Sequence, residues 1–327
     1  MTGRRHGTML ALCVLATLAA PALAQTQKRT PPPPPPAPSA AANPDNGNAD
    51  IAYGAFQRGM FLTALAEASK RAQQNDPAAM TLLGELHAQG LGVPRDDAKA
   101  ANWYKQAAAH GDRDAMFALA MFNLEGRAGP RNPDEAARLL AAAAKLGHAA
   151  AAYDLGLLYL QGQQFPQDFA RAAQLFRQAS DAGNADAQYA LAAMYKEGRG
   201  VPKDLNEAER LMGLASVAGN VDAMVEFAIA QFNGSGVAKN EVAAAKLMLI
   251  AARRGSAIAQ DRMARILMAG RGMPTDATEA VKWHIIAKAG GDSDPDLDAF
   301  AAQQTQQVRD AAEKAAKIWM STLPPRP

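Results

Sequence analysis

Alanine and larger apolar residues recur along the chain in fixed columns. Ala79, Ala115, Ala151, Ala187, Ala223 and Ala259 stand 36 residues apart. Four positions after each comes a large apolar residue: Leu83, Leu119, Leu155, Leu191, Phe227 and Met263. Glycine or alanine follows immediately (Gly84, Ala120, Gly156, Ala192, Ala228, Ala264). A large residue beside a small one at this spacing is the inner stripe of a short amphipathic helix. The small residue lets a partner helix come close. This first helix ends at Gly90, Gly126, Gly162, Gly198, Gly234 and Gly270, because glycine adopts the left-handed C-terminal conformation without steric cost.

A second helix opens on Asp96, Asn132, Asp168, Asp204, Asn240 and Asp276, residue types whose side-chain oxygens accept from free backbone amides. Glu135, Glu207 and Glu279 stand three residues further on and predict capping boxes. Its buried face reads Ala100, Trp103, Ala107 in the first unit, with alanine, leucine or tryptophan at the matching positions later. Gly111, Gly147, Gly183, Gly219 and Gly255 close it, and Asp114, Asp186 and Asp222 are expected to restart the first helix. A period of this length means one supersecondary unit copied and stacked, so the expected fold is an all-α solenoid.

The chain ends depart from this pattern. Arg4 and Arg5 precede an apolar run from Met9 to Ala20, and Ala22-Leu23-Ala24 supplies a small-x-small cleavage site. Residues 1–24 are therefore expected to be a signal peptide cut after Ala24, which places the protein in the periplasm with no integral membrane segment. Residues 25–50 read as a Pro/Ala-rich linker, with six prolines from Pro31 to Pro36 favouring a polyproline II spacer or a ligand for a proline-binding module. Residues 51–78 read as a shortened first helical repeat, with Ala64 and Asn75 in phase and the loop contracted around Gly59. Six full repeats follow over 79–290. Residues 291–327 read as a capping helix, with Val308, Ala312, Ala315 and Trp319 on one face, and a tail.

Signal cleavage removes the sole cysteine, Cys13, so the mature chain has no disulfide or thiolate metal site. It also leaves 32 basic against 32 acidic residues, a balance that gives no reason to expect nucleic acid or an anionic membrane as partner. The mature histidines His87, His110, His148 and His284 lack metal-ligand spacing, and no serine lies in a nucleophile elbow. His110 and His148 flank the inter-repeat glycines, where a histidine suits a helix C-terminus. His284 shares the column of Tyr104 and Phe176 and is expected to be partly buried. The Gly-x-Gly loops at Gly90–Pro94 and Gly198–Pro202 follow no strand and precede no Lys-Ser/Thr, so they are not phosphate loops. No catalytic residue, cofactor or metal site is expected.

The columns combine as Ala187…Leu191-Ala192…Tyr195…Gly198-x-Gly200-Val201…Asp204…Ala208…Leu211…Ala215…Gly219. This resembles the Sel1-like repeat family, relatives of tetratricopeptide repeats. The resemblance implies about seven helix pairs in a right-handed superhelix. It also implies a non-catalytic adaptor role in protein complexes, in an exported bacterial member that regulates or assembles an envelope or signalling component. Two departures stand out. Gln163-Gln164-Phe165 replaces the glycine and valine of the third loop, and the cysteine pairs of the penicillin-binding branch are missing. A cell-wall-associated, β-lactam- or peptidoglycan-acting enzyme of the same repeat class is the alternative, and peptidoglycan contact is a further candidate.

In the tetratricopeptide relatives the first helix lines the concave face. On that face Phe117, Tyr153 and Tyr189 share one column, and Met121 and Leu157 share another one turn on. These five are the candidate partner-binding residues, an apolar ladder for a helix or extended peptide of another protein. Inter-repeat packing is the competing explanation for the same residues.

Overall fold

A computed structural model describes residues 50–163 and 165–322. The expected signal peptide and nearly all of the expected proline-rich linker lie outside the described residues. Among those described there are sixteen helices and no strand. A short pair, α1 (Ile51–Gln57) and α2 (Phe61–Ala72), comes first. Six pairs follow: α3 (Pro77–Gln89) with α4 (Asp97–Ala109), α5 (Arg113–Glu125) with α6 (Pro133–Lys145), and α7 (Ala149–Gln161) with α8 (Phe169–Asp181). The series continues through α9 (Ala185–Glu197) with α10 (Leu205–Val217), α11 (Val221–Asn233) with α12 (Glu241–Arg253), and α13 (Ala257–Ala269) with α14 (Ala277–Ala289). All twelve helices of these pairs are 13 residues long. Each packs chiefly on the helix before it and the helix after it, which makes the stack a solenoid.

The columns explain the packing. Ala115, Ala151, Ala187, Ala223 and Ala259 are completely buried. The small column is graded to its partner. A Cβ on Gly84 would sit 2.4 Å from the Tyr104 ring, and one on Gly156 would sit 2.7 Å from the Phe176 ring. Where the partner is Leu140, Met212 or Met248, the small residue is alanine instead (Ala120, Ala192, Ala228). Close-packed interiors transmit such size changes directly.

The first helices end as expected, on glycines with φ between 68° and 75°. The second helices are capped as expected by Asp96, Asn132, Asp168, Asp204, Asn240 and Asp276, each accepting from a backbone amide three residues on. Asp204→Ala should therefore cost about 1 kcal/mol in urea-induced unfolding.

Four expectations are corrected. The capping boxes do not close: Glu135, Glu207 and Glu279 turn to Arg138, Arg210 and Lys282. The amides they would have served instead donate to first-helix carbonyls, as at all six caps, at 2.8–3.1 Å (Asp204 to Tyr195 O, for example). That bond pins each inter-helix loop. Next, the first helices are capped two residues before Asp114, Asp186 and Asp222, by Asp112, Asn184 and Asn220. The aspartates sit in the first turn, where negative charge favours the helix dipole. His148 caps the start of α7, its Nδ1 accepting from the Ala151 amide at 3.0 Å, rather than serving a helix C-terminus.

Finally, the C-terminal cap is two helices, α15 (Pro295–Gln303) and α16 (Gln306–Ser321), where one was expected. Extended Gln304 breaks them apart, and Arg309 donates to the carbonyls of Ala302 and Gln304. α16 packs on α14 and buries Ala312 and Ala316. Asn75 stands in the left-handed region (φ 61°) where later units have glycine, ending the short first pair.

Candidate functional site

The five candidate residues lie on successive first helices, all half-buried. Phe117 of α5 stacks on the His148 imidazole of the next unit, with ring centres 4.5 Å apart. Tyr153 of α7 packs against Phe176 at 5.6 Å. The Tyr189 hydroxyl of α9 donates to Glu226 of α11 at 3.2 Å. Met121 packs on the core of the N-terminal units and Leu157 on that of the central ones. Phe117 and Tyr189 thus reach the following hairpin and Tyr153 the second helix of its own, while each keeps another part open, so packing and exposure coexist at the same residues.

The column stops being aromatic at both ends. Thr81 precedes it, its hydroxyl bonded to Pro77 O. Beyond it come buried Val225 and then Asp261, whose neighbour Arg265 pairs with Asp294 at the start of α15. The open aromatic surface therefore spans α5, α7 and α9.

Carboxylates line it. Burial, with Asp186 and Asp154 nearby, pushes the Tyr153 phenol up to about 12. Burial, Glu226 and Asp222 raise that of Tyr189 further. Both hydroxyls stay protonated, and that of Tyr189 acts as a donor. Lys196 reaches across from α9 to Glu226 at 2.8 Å, and that hydrogen bond raises its pKa.

The charges of the stack are sorted by helix. Helices α5, α7, α9 and α11 carry seven carboxylates and two bases, Arg113 and Lys196. Helices α6, α8, α10 and α12 carry six carboxylates and seven bases. Sequence reasoning missed this acidic face because it summed charge over the whole chain. Summing along one helix column at a time is the signal that finds it.

His284 is buried, more fully than expected, its Nε2 2.8 Å from Asp298, which also accepts from Lys288 at 2.7 Å. Its Nδ1 has no hydrogen-bond partner, so no hydroxyl is aligned there as a nucleophile. Among the described residues no cluster of three or more His, Cys, Asp or Glu could hold a metal ion. No helix among them is long and apolar enough to cross a membrane. A hollow of about 550 Å³ between α4, α5 and α6 exists because Ala142 stands where later units have Gln178, Leu214 and Ile250.

His148 gives the stack a pH dependence. Burial first, then Arg113, lowers its pKa to about 4, against about 6.5 in the unfolded chain. Below pH 6.5 the unfolded state takes up a proton that the folded state refuses. Stability is thus complete above pH 6.5 and falls as pH drops toward 4, by at most about 1.4 kcal/mol per unit. Asp112 and Asp114, raised by burial, act in the opposite sense at the acid end. His148→Asn, which keeps a capping oxygen, should flatten the melting temperature between pH 6.5 and 5, as followed by circular dichroism.

Helix hairpins stacked neighbour on neighbour, with one helix column left partly open, define an α-solenoid repeat protein. The Sel1 repeat model matches six consecutive units, residues 77–112, 113–148, 149–184, 185–220, 221–256 and 257–292, and the chain belongs to the Sel1 repeat family. Such proteins generally mediate protein–protein interactions. Among solved structures, a Sel1 repeat protein from Oxalobacter formigenes is 27% identical with a TM-score of 0.68, covering 74% of this chain and 100% of that one. The protective antigen c5321 of uropathogenic Escherichia coli, which displays an SLR fold, is 23% identical with a TM-score of 0.52. That match covers 80% of this chain and 64% of the antigen, and it speaks for the fold alone. No curated protein matches the chain.

Proposed function

We propose that this protein is a non-catalytic periplasmic scaffold that holds a partner protein or peptide and so regulates or assembles an envelope or signalling component. The observation that carries it is the half-open ladder of Phe117, Met121, Tyr153, Leu157 and Tyr189 on consecutive first helices. Large aromatic side chains that are partly desolvated and rigidly seated are typical anchors of binding surfaces. The family's general role in protein–protein interaction supports the same reading, and the N-terminal signal sequence supports export.

Photo-reactive amino acids placed in living cells at Tyr153 and Tyr189 should capture a partner, identified by mass spectrometry. Capture only from outer second-helix positions such as Lys105 and Lys246 would place binding on the other face. Turnover of nitrocefin or peptidoglycan by the purified protein would replace the scaffold reading with an enzymatic one. Sedimentation with purified sacculi would move the partner from protein to cell wall.

A further inference from the structure

We propose that the first-helix face of α5, α7, α9 and α11 recognises a cationic peptide segment, with lysine or arginine side chains set between apolar anchors. The proposal rests on the scaffold reading above and adds the partner's chemistry.

Charge complementarity carries it. These four helices hold an excess of five carboxylates, one of which, Glu197, is paired with Arg199 of the following loop at 2.8 Å, whereas the second helices are nearly balanced. Its two bases are already engaged. Arg113 donates to the carbonyl of Leu146 at 3.1 Å and lies 3.7 Å from Asp114, and Lys196 is bonded to Glu226. Asp186 and Asp222 stay exposed beside the tyrosines. Behind Lys196 and Glu226 lies Glu209 of α10, only 6% exposed, with an Oε2 that has no hydrogen-bond partner. The wall there is more acidic than its own bases can balance.

Aromatic rings with carboxylates at their edges suit a cation in two ways. The ring face attracts a lysine or arginine head through its quadrupole, and the carboxylates accept charge-assisted hydrogen bonds from it. Half-buried Phe117, Met121 and Leu157 between the acidic positions then take apolar side chains. The strip has ends. At α13 the face turns basic, with Arg262 and Arg265 beside Asp261, and Arg265 is tied to Asp294. Four first helices about 10 Å apart span about 30 Å, the reach of about nine extended residues. The same negative face repels nucleic acid and anionic lipid.

The test is a random dodecapeptide display selection against the full mature protein. The selected peptides should be enriched in lysine and arginine next to leucine, phenylalanine or tryptophan. Their affinity, measured by fluorescence anisotropy, should fall at least about tenfold in Asp186→Asn/Asp222→Asn and fall steeply with added salt. Both substitutions lie at exposed positions and leave the core untouched, and a thermal melt verifies folding. Glu226→Gln provides an independent variant with the same expected direction. Neutral or acidic winners that lose binding in Tyr153→Ala/Tyr189→Ala would overturn the charge proposal and leave the scaffold surface standing. Winners indifferent to both sets of substitutions would overturn the surface as well. A selection that yields no peptide above background would overturn the cationic-peptide proposal.

Discussion

Replacing Trp283 with alanine should lower the unfolding free energy by about 3–5 kcal/mol, the range for truncating a large buried aromatic. Trp283 is 2% exposed on α14 and meets Trp319 of α16 edge to face, ring centres 5.7 Å apart. In earlier units the same column holds Trp103, Leu139, Leu175, Leu211 and Leu247, each followed by another repeat. Here no repeat follows, and α16 closes the stack in its place. The larger side chain at this junction gives the capping helix a surface to seat on. Because a solenoid's stability is a sum of local units and interfaces, the lesion should act locally. Hydrogen exchange should show α14, α15 and α16 losing protection while α5 to α8 keep theirs. A loss spread evenly over all helices, or one below about 1 kcal/mol in a urea melt, would contradict this account of the cap.

Gly84→Ala should destabilise by about 2 kcal/mol, even though alanine is the better helix former by about 1 kcal/mol. The new methyl group would stand 2.4 Å from Cε1 of Tyr104, so the ring must move by about 1 Å. It has little room to do so. Tyr104 is 1% exposed, lies edge-on to Phe122 at 5.4 Å and donates from its hydroxyl to Glu85 at 2.8 Å. Tyr104→Leu alone opens a cavity. The pair Gly84→Ala/Tyr104→Leu recreates the Ala120–Leu140 pairing of the next unit and should be more stable than the two single effects predict. A coupling of about 0.5–3 kcal/mol in a double-mutant cycle is expected for residues in contact. Strict additivity would show that the small column is not matched to its partner.

Repetition made the core legible from the sequence. A single Ala-x₃-Leu says little, but six copies in phase assign the stripe, the glycine stop and the second-helix caps without a structure. The misreadings have local physical causes. Asp114, Asp186 and Asp222 resemble N-caps because first-turn positions favour the same residue type for a different, electrostatic reason. Glu135, Glu207 and Glu279 have the spacing of a capping box, but a base three residues on and a loop-pinning carbonyl compete for both ends of it. The break at Gln304 carries neither glycine nor proline, so helix α15 merged with α16 in the sequence pattern.

The site was legible in part. Phe117, Tyr153 and Tyr189 show as a column, but which part of each ring stays open depends on His148, Phe176 and Glu226, residues 23 to 37 positions away. Overall neutrality hid the acidic helices, since many of the bases that offset them stand in the loops between helices, at Arg127, Arg131, Arg199, Lys203 and Lys239.

The central claim is that a partner lies along the first-helix column. A methyl NMR titration of the mature protein with a selected peptide or a cross-linked partner tests it most directly. Methyl resonances of Met121, Leu157 and Ile229, which stands at the matching position of α11, should shift, while those of Leu214 and Ile250, exposed on the second helices, stay in place. Shifts confined to Leu214 and Ile250 would contradict it.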